Sequence, residues 1–231
     1  MSVARRRPAP TDVAALRLAH RGDWRRAPEN SLAAFLAALE VPGCDGLEFD
    51  VHAARDGTPV VIHDETLERV QGVPGRVAEM TSAELADHDV PTLEEVLVAL
   101  PRRAFLDVEL KGDPGRAAVD VLTAGRGPAL SRAVVSSFEP DTLERVARLA
   151  PSWPRWLNVE DLEPATLELA VRLGCRGVSA DWRAIDARST ARAREAGLEV
   201  AAWTVRRRAT YTRLERLGVV AICVEAAALD G

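Results

Sequence analysis

Four short stretches hold residue types suited to acid–base and metal chemistry: His20-Arg21, Glu48-Phe49-Asp50, His63-Asp64 and Glu109-Leu110-Lys111. Each closes an apolar, strand-like run. Residues i and i+2 of a strand face the same side, so Glu48 and Asp50 point to one place. Two carboxylates so placed repel, and one pKa rises unless a cation lies between them. Glu109 ends another strand and supplies a third oxygen donor. An all-oxygen set suits one divalent cation, Mg2+ or Ca2+, completed by water and substrate oxygens. The competing reading pairs these acids with Arg21 and its neighbours in salt bridges.

His20 and His63 are two of only four histidines, both at strand ends. Imidazole transfers protons near neutral pH, and a pair divides the work, one taking a proton and the other protonating a leaving group. Arg21 offers a planar fork for phosphate oxygens, and Lys111, the only lysine in the chain, offers a point charge. Either also neutralises the carboxylates. Carboxylates, imidazoles and cations together point to phosphoryl chemistry. His52 shares a face with Asp50, whereas His88 lies outside the cluster.

The elements that must position these residues follow from periodicity. Strand-like runs cover 15–20, 46–51, 58–63, 104–109, 132–137, 154–158, 176–180, 198–204 and 219–224. Helical patterns fall near 30–40, 92–100, 114–124, 140–149, 163–173, 187–196 and 207–217. Repeated βα units imply a parallel sheet with helices outside. About eight strands in roughly 200 residues imply a closed (β/α)8 TIM-type barrel, whose strand ends open on one face and gather the four stretches there. No GxGxxG or GxxxxGK[ST] loop follows a strand, which weakens an open nucleotide-binding sheet.

Local signals refine the picture. Asn30 or Ser31 caps the first helix, Thr92 with Glu95 forms a capping box, and Gly43, Gly174, Gly197 and Gly218 stand where helices stop. Only six residues separate Val51 from Thr58, too few for a parallel crossover. Asp56-Gly57 instead signals a tight hairpin, and counting outward pairs Arg55 with Thr58 and Asp50 with His63. Residues 64–91 read as a short excursion over the barrel mouth. The domain spans 14–231, with 1–13 a loose tail.

The remaining composition narrows the function classes. The chain has 231 residues, 47% hydrophobic and 28% charged, with a net charge of −5. Mild acidity and 4% aromatic content argue against a nucleic-acid partner. Three distant cysteines, Cys44, Cys175 and Cys223, read as reduced thiols of a cytoplasmic protein. The N-terminus has arginines without an apolar segment, so no secretory signal is read, and no apolar run reaches a membrane span. The expected partner is a small-molecule substrate, with the oligomeric state open.

In order and spacing the residues resemble the glycerophosphodiester phosphodiesterase family, through "HRG…PENS…LEFDV…DGTPVVIHDETLERV…PTLEEVL…LDVELK…SSF…AAWTV" over about 18–224. The resemblance implies a TIM-type barrel and metal-dependent hydrolysis of a glycerophosphodiester to an alcohol and glycerol 3-phosphate. It implies acid–base roles for His20 and His63 and metal ligation by Glu48, Asp50 and Glu109. Arg21 and Lys111 would hold phosphate, and Trp203 would line the pocket. It further implies attack by the glycerol hydroxyl beside the phosphate, giving a cyclic phosphate that water opens.

Three departures stand out. The last strand reads "ICVEAA", with Val224 and Glu225 where the family has Thr and Asp, and without the following proline. Ser31 replaces a common Thr, and "DWRR" (23–26) adds Arg25 and Arg26, either to attract anionic head groups or to sit in solvent. The alternatives are a phosphodiesterase for lysophospholipids or another alkyl or sugar phosphodiester, and a non-catalytic phosphate-binding barrel. The latter would show a lost histidine or metal ligand, and none is lost.

Overall fold

The computed structural model describes residues 14–113 and 115–230; the tail expected over 1–13 lies outside them. Nine strands form one sheet: β1 (Leu16–His20), β2 (Gly46–Ala53), β3 (Pro59–Val61), β4 (Phe105–Leu110), β5 (Ala133–Ser137), β6 (Arg155–Val159), β7 (Gly177–Asp181), β8 (Glu199–Val205) and β9 (Ala221–Val224). β1 pairs in parallel with both β2 and β9, so eight parallel strands close into a barrel. β3 alone is antiparallel, folded back on the end of β2.

Helices α1 (Leu32–Leu39), α2 (Ser82–Ala86), α3 (Leu93–Ala99), α4 (Gly115–Arg126), α5 (Pro140–Leu149), α6 (Pro164–Arg172), α7 (Ala187–Glu195) and α8 (Arg208–Arg216) account for the remaining regular structure, apart from three single 3-10 turns. The helices bury one face each. In α4 the buried residues are Ala118, Val119, Leu122 and Arg126, an i, i+1, i+4, i+8 stripe. These stripes cover the outward-facing strand positions, such as Leu47, Phe49, Leu106 and Val108, in one large core.

The alternate positions point inside the barrel. Leu18, Val134, Trp156, Ala201 and Ala221 fill the interior with apolar groups. Glu48, Asp107, Ser136, Asn158 and Ser179 take further inward positions and line a cavity instead. The period of two that buries Phe49 and Val51 under the helices therefore also delivers Glu48 and Asp50 to the interior.

Caps settle where the chain turns. Ser31 Oγ accepts from the Ala34 amide and is the cap of α1, leaving Asn30 free for another task. The Thr92–Glu95 capping box opens α3. Gly22 has φ +84°, and a Cβ there would lie 2.7 Å from the Ala34 carbonyl carbon, so only glycine lets the chain leave β1 against α1.

The hairpin differs from its expected register by one residue. Ala54 and Thr58 close a three-residue turn, with the Ala54 amide donating to the Thr58 carbonyl (2.9 Å) and Gly57 at φ +80°. Arg55 leaves the ladder because its amide donates to the Met80 carbonyl (2.8 Å) and its guanidinium to the Glu79 carbonyl (2.9 Å). Val51 consequently faces Val61, and Asp50 lies opposite Ile62 rather than His63, with the Ile62 amide on the Asp50 carbonyl (3.1 Å). His63 lies two residues beyond the end of β3 and still reaches the mouth.

Residues 64–91 gather their own apolar cluster: Leu67, Val77, Leu85 and Val90 pack on Val60 and Ile62 beside the barrel. Among the described residues, no helix is long and apolar enough to cross a membrane.

The "DWRR" stretch is an ion-pair clamp. Asp23 is 2% exposed. Arg25 donates to both its oxygens (2.7 and 3.0 Å) and to both oxygens of Asp230 (2.9 Å each), tying the first loop to the end of the described chain. Arg26 lies on the surface beside Glu40. Removing Arg25 leaves the buried Asp23 carboxylate with the more distant Arg26 Nε (3.8 Å) as its only cation among the described residues, so Arg25→Ala lowers unfolding free energy by about 2 kcal/mol. Arg26→Ala changes it by less than about 0.5 kcal/mol. Urea denaturation of the two variants checks this contrast.

Candidate active site

Strand register builds the site. His20 lies beside Glu48 across β1–β2, and Asp50 beside Glu109 across β2–β4. Glu48, Asp50 and Glu109 each bring one carboxylate oxygen within 4.8 Å of the others, and all three are buried. Their surroundings separate them. Asp50 accepts from Asn30 Nδ2 (3.0 Å), with Arg21 Nε at 3.1 Å and Lys111 Nζ at 3.0 Å. Burial alone would raise its pKa; Lys111 and Arg21 outweigh burial and hold it well below the usual carboxylate range. Lys111 also donates to Glu109.

Glu48 fares otherwise. Burial, with the charges of Asp50 and Glu109, pushes its carboxyl well above the normal value. Its Oε2 is buried and accepts no hydrogen bond, with His20 Nε2 3.7 Å away. Burial and Asp50 also raise Glu109. Deeper in the barrel, burial lifts Asp107 to about 7, although Ser136 Oγ donates to it (2.6 Å). An unpartnered buried oxygen on Glu48 and two raised carboxyls describe a cluster short of positive charge. A hard divalent cation fits that donor set.

Both histidines are held from behind. Nδ1 of His20 lies 2.6 Å from Glu225 Oε1, and Glu225 Oε2 accepts from Arg206 Nε (2.7 Å). Burial would raise Glu225, but the bond to His20 and the Arg206 charge bring it down to about 2. Nδ1 of His63 lies 2.6 Å from Asp64 Oδ1, and His52 Nε2 lies 3.0 Å from the His63 carbonyl. A carboxylate only accepts, so each Nδ1 carries hydrogen and Nε2 is the nitrogen left for proton transfer. Burial lowers the His63 pKa.

The His63 support extends into a chain of ion pairs. Arg69 bonds Asp64 (2.6 Å) and Glu29 (2.6 and 2.9 Å), Glu29 bonds Arg21 (3.0 Å), and Arg21 reaches Asp50. The Pro-Glu-Asn stretch therefore serves twice, Glu29 through the arginines and Asn30 directly on Asp50.

A cavity of about 200 Å³ brings together His20, His63, Glu48, Glu109, Arg21 and Lys111, with Trp203 on its wall. Asp50, 1% exposed, lies against Arg21 and Lys111 at its edge. Trp203 Nε1 donates to the Ser179 carbonyl (2.8 Å), and Phe138 stands edge-on to it at 5.4 Å. His88 belongs elsewhere, in a separate cavity of about 620 Å³ that shares only His63 with this one. Residues given no site role from sequence are Glu225, noted only as a departure, Asn30, considered only as a cap, and Glu29, Arg69 and Phe138. Glu225 had a visible signal, an acid kept at the end of a strand whose neighbours depart from the family pattern.

Acid titration tests the His63 support. The hydrogen bond from Arg69, then that from His63, hold Asp64 down to about 2. An unfolded aspartate titrates near 4. A depressed carboxylate stabilises the fold above the unfolded value and loses that contribution as pH falls through the folded one. Asp64→Asn is therefore less stable than the parent at pH 6, and the gap closes between about pH 4 and pH 2. Denaturation midpoints across that range measure it.

The chain and its fold are similar to known proteins. A glycerophosphodiester phosphodiesterase of Caldanaerobacter subterraneus is 29% identical over 226 residues, covering 90% of this chain and 93% of the relative. A solved phosphodiesterase of Oleispira antarctica, in complex with the product sn-glycerol-3-phosphate, superposes with a TM-score of 0.79 at 27% identity, covering 91% of this chain and 93% of that one. A glycerophosphodiester phosphodiesterase from Agrobacterium tumefaciens gives 0.78 at 28% identity, over 94% and 98%. The sequence profile of the Glycerophosphoryl diester phosphodiesterase family matches residues 20–229. The chain belongs to that family, and it is a phosphoric diester hydrolase built on a TIM-type barrel.

Proposed function

We propose that the chain hydrolyses glycerophosphodiesters to an alcohol and glycerol 3-phosphate, with His20 and His63 moving the protons. The observation that carries this is two imidazoles, each tied at Nδ1 to a carboxylate, lining one cavity with a carboxylate triad and two cations. Arg21 uses Nε and Nη1 within the protein and keeps Nη2 for a phosphate oxygen. Lys111 adds a point charge beside it. Trp203 and Phe138 form an apolar wall for the alcohol carbons.

One imidazole removes a proton from the attacking oxygen, and the other protonates the departing alkoxide. The hydroxyl beside the phosphate attacks first in this reading, and water then opens the cyclic phosphate with the two roles exchanged. Glu225 and Asp64 hold the rings and stabilise whichever becomes imidazolium. Glu48, Asp50 and Glu109 would hold one divalent cation, Mg2+ or Ca2+, which when bound polarises the phosphoryl oxygens.

Substrates in this reading are water-soluble deacylated phospholipids such as glycerophosphocholine or glycerophosphoethanolamine. The free thiols Cys44, Cys175 and Cys223 support a cytoplasmic setting.

Release of glycerol 3-phosphate in buffer containing Mg2+ or Ca2+ is the test. His20→Ala and His63→Ala each lower kcat/KM by about 10² to 10⁴, with the fold retained by circular dichroism. Glu225→Gln lowers kcat about tenfold or more and shifts the pH–rate profile, as loss of a ring-orienting carboxylate requires. No turnover of any glycerophosphodiester by the parent, or full activity in the double histidine variant, contradicts the reading.

A further inference from the structure

A second recess, of about 500 Å³, adjoins the catalytic cavity and shares Trp203 and Thr204 with it. It opens where β7 and β8 end, and its wall carries Trp182, Arg183, Arg206 and Arg207. Three guanidinium groups face it with one carboxylate, Asp181. That carboxylate is engaged by Arg183 (3.0 Å), whose guanidinium also lies 4.7 Å from the Trp182 ring centre. Arg206 spends Nε on Glu225 and retains both Nη groups. Arg207, at the start of α8, is exposed, and its side chain makes no ion pair among the described residues.

Two further arginines near the mouth are each held between two carboxylates. Arg25 lies between Asp23 and Asp230, and Arg69 between Glu29 and Asp64. The large cavity on the His63 side shows the opposite balance, with Glu29, Asp87, Asp89 and Glu95 on its wall and no lysine or arginine. Between the two recesses that flank the catalytic cavity, only the β7–β8 one carries arginines; Arg183 and Arg206 are paired with Asp181 and Glu225 there, which leaves Arg207 and the Nη groups of Arg206 for a ligand. A carboxylate satisfies one guanidinium fork. A phosphate, with three outer oxygens and close to two charges, engages several at once.

We propose that this recess is a subsite for a second phosphate carried by the substrate. Preferred substrates are then glycerophosphodiesters with a phosphomonoester or a further phosphodiester one alcohol unit from the bond that is cut. The inference rests on the hydrolytic reading of the mouth and adds the substrate class.

The test compares glycerophosphoglycerol with the same diester phosphorylated on its terminal hydroxyl. The parent should favour the phosphorylated substrate by tenfold or more in kcat/KM. Arg183→Gln combined with Arg207→Gln should reduce that preference by tenfold or more. Equal use of the two substrates, or a preference the substitutions leave unmoved, overturns the subsite while the hydrolytic reading stands.

If the parent turns over neither these diesters nor glycerophosphocholine or glycerophosphoethanolamine, the hydrolytic reading fails and calorimetry decides the recess alone. Glycerol 1,3-bisphosphate should then bind at least tenfold more tightly than glycerol 3-phosphate, and the double variant should lose that advantage; equal affinities overturn the subsite. Inorganic phosphate separates a substrate-borne group from a free one. Inhibition by phosphate that persists in the double variant is the expected result. Its loss, with the substrate preference unmoved, makes the recess a free-phosphate site and overturns the substrate assignment.

Discussion

Three buried carboxylates with oxygens within 4.8 Å of one another cannot all stay charged without cations beside them, and much of the mouth is arranged around that constraint. Asp50 receives two cations and an amide, and stays ionised. Glu48 receives none at bonding distance, and burial with like charge raises it. Arg21, Lys111 and Asn30 are placed as they are because Asp50 needs partners. The left-handed backbone at Arg21 and Asn30, both with φ of 57°, is the local strain that this placement requires.

Neutralisation of the carboxylates and support of the two imidazoles are linked through shared side chains. Arg21 joins Asp50 to Glu29, Glu29 joins Arg69, and Arg69 joins Asp64, which orients His63. On the other side Arg206 joins Glu225, which orients His20. Each imidazole ends a chain of alternating charges. Partly buried networks of this kind rigidify when every member is satisfied, and removal of one member leaves its neighbours uncompensated. The two histidines differ in what stands behind their carboxylates: an arginine paired with Glu225 alone for His20, and one shared between Asp64 and Glu29 for His63.

Much of this was legible in the sequence because it rests on periodicity and strand ends. Alternation in Gly46–Ala53 set Glu48 and Asp50 on one face, and the barrel brought His20, Glu109 and Lys111 to them. What depended on tertiary hydrogen bonds was not legible. The hairpin register shifted by one because Arg55 bonds Met80 rather than its strand neighbour. The choice between Asn30 and Ser31 as cap was settled by Asp50, which claims Asn30 from twenty residues away. Arg25 looked available for ligands until Asp230 arrived from the opposite end of the chain. Glu225 stood out only as a departure, and its bond to His20 spans 205 residues.

The central claim is that Glu48, Asp50 and Glu109 form a site for one divalent cation. Titration of the chelator-stripped protein with Mg2+, Ca2+ or Mn2+ by calorimetry tests it most directly. The account predicts one ion bound per chain, and loss of that binding in Glu48→Gln with the fold intact. Absence of binding by the parent protein, or binding that Glu48→Gln leaves unchanged, would contradict it.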